Sequence, residues 1–154
     1  MSEESRRLAG VLLLVLPTAV FGGVSLLSLL VNDPAYQANP LRQDLWRAGH
    51  AHAGVLLVLS LIALRYVDEA ALGPRSRSFA RHAIPASAIL LPVAFFGSVL
   101  SPDATEPNAL IWLAYVGAVS LVAGLLTLGV GLVRRPGAGR GAGASSGQVP
   151  TTRA

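Results

Sequence analysis

At 154 residues, 53% of them hydrophobic and with a mean hydropathy of +0.58, the chain has room for one membrane domain and none for a soluble one. Its net charge of +4 and pI near 10.7 come from twelve arginines and no lysine, most of them flanking apolar stretches. That is the loop charge of a membrane protein and not a nucleic-acid surface. The absence of cysteine excludes disulfides, thiolate metal sites, iron–sulfur clusters and thiol redox relays.

Four stretches lack any Asp, Glu or Lys: about residues 8–31, 48–66, 82–100 and 109–133. A hydrocarbon core of ~30 Å needs about 20 apolar residues in a helix, because lipid offers no partner for an unpaired backbone amide. The expected fold is therefore all-α: a polytopic membrane protein built as a four-transmembrane-helix bundle over residues 1–135. The first stretch follows Arg6 and Arg7 and continues through Phe21 to Val31. It is longer than a signal-peptide core, has no clean small-x-small cleavage site, and reads as a retained helix. Pro17 lies mid-span and predicts a kink, and Thr18, Gly22 and Ser25 are its small residues.

Asn32-Asp33-Pro34 stops that helix, and Asn39-Pro40 starts the next, with Asn39 as N-cap and Pro40 at the first helical position. The start of that helix is expected to carry Leu41, Leu45 and Trp46 along the headgroup zone before the chain enters the membrane at Ala48. Trp46, Trp112 and Tyr66 fall at span ends, where amphipathic rings anchor. Within the second span Gly49, Ala53, Leu56, Ser60 and Ala63 form a stripe of mostly small residues for helix packing. The third span carries Pro85 and Pro92, seven residues apart and so on one face. They read as structural prolines or as a kinked pair lining a cavity. The fourth has the clearest stripe: Ala114, Gly117, Ser120, Gly124, Thr127 and Gly131, with the glycines seven apart. Such a period keeps one face against a partner in a left-handed crossing, within the bundle or in an oligomer. Residues 136–154, rich in Gly, Ala and Ser, have nothing to bury and read as a disordered tail.

Arginine sets the orientation. With the amino terminus in the cytoplasm, the inner segments hold ten arginines and the outer ones only Arg42 and Arg47. This bias predicts both termini in the cytoplasm and a multi-pass location in a bacterial inner or plasma membrane.

The most unusual local sequence is Gly49-His50-Ala51-His52-Ala53-Gly54. Ionisable residues in a span are functional candidates, so His52 and His50 are the ligand-contacting or pH-sensing candidates. Residues two apart on a helix diverge by about 200°, whereas chelation from one face needs i, i+4 spacing, so the two cannot hold one ion. His52 lies close to the small stripe and is expected to face the bundle. His50 projects with Leu57, Leu61 and Leu64 and is expected to face lipid. His82, at the opposite membrane end, is a headgroup-zone residue a full membrane thickness away.

Residues 47–66, with the proline-bearing third span and glycine-rich fourth, resemble uncharacterised small four-helix integral membrane proteins of high-GC Gram-positive bacteria, a likeness that brings no activity. The six residues from Gly49 to Gly54 also look like helices of haem-bearing oxidase-like membrane subunits. The further intramembrane histidines of such subunits are missing here, so no haem role carries over and no cofactor is expected. A haem or metal site would need a second copy of His52, or carboxylates from the outer loops. The composite reading is a non-enzymatic structural or accessory subunit, partnered by the lipid bilayer and by a homo-oligomer or larger membrane complex. The alternatives are a small transporter or channel-like oligomer for a neutral or lipid-like solute, and a haem- or metal-binding subunit using His52. No span carries the mid-membrane carboxylate that ion-coupled carriers use.

Overall fold

In the computed structural model, which describes residues 1–134, the chain forms four long helices joined by short connections. The expected tail at 136–154 lies outside the described residues. Helix α1 spans Glu3–Asn32, α2 is a short turn at Pro34–Gln37, and α3 spans Pro40–Tyr66. Helix α4 spans Pro74–Ser98, and a 3-10 turn at Ala109–Ile111 leads into α5, Trp112–Val133. Four helices are long and apolar enough to cross a bilayer, with window hydropathies between 1.5 and 2.2.

The helices extend beyond the apolar stretches because polar residues cap and continue them. Ser2 caps α1 by accepting the Ser5 N–H at 3.2 Å, and Glu3 and Glu4 in its first turn complement the helix dipole. Asp33 ends α1 by donating its N–H to the Leu29 carbonyl, then caps α2 through its carboxylate. Asn39 caps α3 by accepting the Arg42 N–H at 3.1 Å, with Pro40 at the first position. Helix α3 then runs unbroken through Ala48, so no separate interfacial segment precedes its membrane portion.

Consecutive long helices pack on one another: α1 mainly on α3, α3 on α4, and α4 on α5, with α5 also reaching α3. Helix α4 is central, with half of its most apolar window buried, whereas only 6% of the corresponding window of α1 is fully buried. The core falls in two clusters. One joins Leu12 of α1 with Leu56, Leu57 and Leu64 of α3 and Ala88 and Leu91 of α4. The other gathers Ala63, Val67, Ala80, Ile84 and Leu128. Both α4 prolines are buried, and the helix is continuous through them.

The α4–α5 seam is where small residues matter most. A Cβ on Gly117 would stand 3.0 Å from Leu91, and one on Gly124 would stand 2.8 Å from Ile84. On Gly131 it would stand 2.5 Å from Leu72 of the α3–α4 connection. The seven-residue glycine period thus faces α4 and the connection that precedes it. Ser120 adds a hydrogen bond, donating across the seam to the Ala83 carbonyl at 2.9 Å. Gly49 of α3 meets Phe95 and Phe96 of α4, where a Cβ would lie 3.0–3.2 Å from their side chains. Ala53, one turn further along α3, is half-buried.

Candidate functional site

Three polar constellations stand out, two at the ends of the helices and one along the flank of α1. The first closes the carboxyl end of α4. The last four carbonyls of a helix lack intrahelical partners. Here the Ser98 hydroxyl donates to the Phe95 carbonyl, and the Trp46 indole N–H donates to that of Phe96 at 3.2 Å. The Asn108 side chain donates to Gly97 and its backbone N–H to Ser98, and Arg42 Nε donates to Val99 at 3.2 Å. Arg42 is 7% exposed, and its guanidinium lies 4.4 Å from the centre of the Trp46 ring. Trp46 thus turns toward the protein, between Tyr36 and Phe96, and not toward headgroups as its span-end position implied. An unsatisfied helix end next to apolar helices costs more than interfacial anchoring gains.

The second constellation lies at the opposite end. Arg81, also 7% exposed, donates from Nε to Ser5 Oγ at 3.0 Å and from Nη2 to Asp68 at 2.9 Å, and forms an ion pair with Glu4. Asp68 also accepts the Ser2 N–H at 2.6 Å. Burial alone would raise the Asp68 pKa, but hydrogen bonds from the Ser2 backbone, Ser5, Arg81 and the Ser2 side chain together lower it to about 2. The start of α1, the α3–α4 connection and α4 meet in this one cluster. Nearby, the Ala71 N–H donates to the Gly131 carbonyl, so the same connection also closes the end of α5.

The third is a groove between α1 and α3 with His50 at its waist. On the side toward α2 it forms a cavity of about 220 Å³ between Leu26 and Leu30 of α1 and Tyr36, Gln43, Arg47 and His50. On the other side a wider space of about 570 Å³ is lined by Leu16, Ala19, Val20, Gly54 and Val58. Both are bounded by Gly23 and by the His50 ring, which packs against Gly23 between them. A Cβ at Gly23 would stand 3.1 Å from the His50 ring; glycine there lets the imidazole enter the groove. Neither His50 ring nitrogen has a hydrogen-bond partner among the described residues.

His50 therefore packs against α1 and does not simply project outward, a correction to the expectation drawn from its leucine neighbours. Leu57 and Leu64 are buried, and Leu61 is partly so. Helix α3 has two covered faces: its small stripe meets α4, and its leucine face meets α1. His52 sits on the other side, its ring 5.1 Å from that of Phe95 and Nδ1 2.7 Å from the Ala48 carbonyl. The 200° divergence places the two histidines against different helices. His82 is exposed, bonded to the Ser78 carbonyl, and 3.8 Å from Glu4. Among the described residues no group of three or more His, Asp, Glu or Cys comes together to hold a metal ion. No family model, curated protein or solved structure matches this chain.

In the sequence Arg42 and Arg81 count only among the arginines that flank the spans, and nothing there marks Asp68 or Ser5. A signal for both arginines exists. Arg42, Gly49, Leu56 and Ala63 are seven apart, so the small stripe of α3 extends one heptad back to Arg42. Arg81 precedes Ile84, Ala88 and Leu91 at helical spacing, on the buried face of α4.

Proposed function

We propose that the chain is a non-catalytic integral membrane protein of a bacterial inner or plasma membrane, a structural or accessory subunit that works by association with other membrane helices. The observation that carries this reading is the contrast between its helices. Helices α3, α4 and α5 meet along small-residue seams, while α1, held by polar contacts at both ends, packs one face on α3 and leaves Leu13, Leu14, Val20, Phe21, Val24 and Leu27 exposed. The arginine bias supports both termini in the cytoplasm, with Arg42 and Arg47 at the outer end and Arg81 at the inner one. Extraction in mild detergent tests the proposal. A second copy or a second polypeptide eluting with the chain in fixed ratio is the expected result. A lone 15.9 kDa chain that drives solute flux once reconstituted would overturn it in favour of a transporter.

A second reading, the handling of a lipid-like solute, draws on the α1–α3 groove, which combines an apolar wall with a few polar groups at one end.

A further inference from the structure

We infer that the α1–α3 groove binds one anionic phospholipid, with its phosphodiester headgroup at Arg47 and His50 and an acyl chain along α1. The inference rests on the chain spanning a bilayer, and deepens the lipid-like reading by naming the ligand class.

Shape supports it first. From Gly23, beside the His50 ring, to Leu16 the α1 wall extends about 10 Å at 1.5 Å per residue, room for the upper part of one acyl chain. The space beyond His50, about 570 Å³ and open on its outer side, falls in the size range of small-molecule sites, about 300–1,000 Å³. The part beyond His50 is walled by aliphatic side chains and by Gly54, whose missing side chain leaves open space. An aliphatic slot of this kind takes a hydrocarbon chain.

Charge supports the headgroup assignment. Arg47 and His50 lie three residues apart on one helix face, so their side chains are neighbours. Arg47 donates from Nε to the Gln43 carbonyl and from Nη2 to Asp44, leaving Nη1 without a partner among the described residues. Both His50 ring nitrogens are likewise without a partner there. The Gln43 amide N–H groups are already used by the Tyr36 and Gln37 carbonyls. The Tyr36 phenol has its pKa raised by burial, against the pull of Arg47 and Arg42, and stays neutral. No carboxylate lines either part of the groove. A guanidinium and an imidazole above an aliphatic slot match a phosphate ester on an acyl chain.

Native mass spectrometry of the full chain, purified from the membrane fraction and titrated with phosphatidylglycerol or phosphatidylcholine, tests this. Failure to recover the chain from membranes would refute the membrane reading itself, before any lipid is added. The wild type is expected to retain one phosphatidylglycerol about fivefold more tightly than phosphatidylcholine, equivalent to about 1 kcal/mol for one basic side chain at a membrane surface. Arg47→Gln and His50→Gln should each reduce that preference. Gly54→Leu, whose Cβ would have no neighbour within 4 Å, should fill the slot and remove retention of both lipids. Gly129→Leu, equally open but on α5, should retain them and controls for folding. Equal retention of both lipids by the wild type, or unchanged retention in Gly54→Leu, would overturn the inference.

Discussion

Replacing Arg81 with alanine should cost more stability than any other single charge removal at this end of the molecule. The guanidinium is 7% exposed and joins Ser5, Asp68 and Glu4, so its loss separates the start of α1 from α4 and from the α3–α4 connection. Asp68, with a side chain 17% exposed, would keep only the Ser2 and Ser5 contacts for a mostly buried charge. Breaking one side of a buried ion pair costs about 3–5 kcal/mol. The surviving Ser2 N–H bond at 2.6 Å, and the freedom of the half-exposed Glu4 to turn to water, place this case near the lower end, about 3 kcal/mol. Glu4→Gln should cost no more than about 0.5 kcal/mol, as for exposed pairs. The double variant Arg81→Met with Asp68→Leu should recover much of the loss, because an apolar replacement leaves no stranded charge. The assay is unfolding in mixed micelles of increasing SDS content, followed by helicity. An Arg81→Ala midpoint indistinguishable from wild type, or a double variant weaker than Arg81→Ala, would refute the reasoning.

Three further expectations concern other parts of the chain. Gly124→Leu should lower the unfolding midpoint strongly, since even a Cβ would stand 2.8 Å from Ile84, while Gly129→Leu should leave it unchanged. In acid, the Asp68 contribution runs in one direction: its folded pKa of about 2 lies below the usual 3.8. Stabilisation on the order of 1–2 kcal/mol is therefore present above about pH 4 and lost as pH falls toward 2. Asp68→Asn should flatten that limb in an acid titration of stability. For orientation, single cysteines in this cysteine-free chain report sidedness to an impermeant thiol reagent. Ala38→Cys and Ser101→Cys should label in intact cells, and Ser76→Cys only after permeabilisation; the opposite pattern would reverse the topology. Ser76 suits the inner probe because its side chain is exposed at the start of α4.

Local signals in the sequence were read well where a single helix contains the whole cause. Apolar length marks the four helices, Asn39-Pro40 marks the start of α3, and a period of seven picks out the α5 glycines that meet α4. Contacts between segments distant in sequence were not legible. Arg81 and Ser5 are 76 residues apart, and Asn39 and Pro102 are 63 apart, so no local pattern announces either pairing. His50 was misplaced for a related reason. A hydrophobic helix face reads the same whether it meets lipid or a neighbouring leucine-rich helix, because both are apolar. Only the Gly22-Gly23 pair in α1, opposite the His50 ring, marks that face as occupied, and its relevance depends on the register between the two helices.

Association in the membrane follows from the exposed flank of α1, and counting chains per particle measures it without any intermediate step. Excising native membrane into polymer-bounded discs, with no detergent step, and weighing single particles preserves weak neighbours. The expected discs hold the chain together, in constant ratio, with a second copy of itself or another membrane polypeptide. Discs that each hold one copy and no other protein, at native expression, would contradict it.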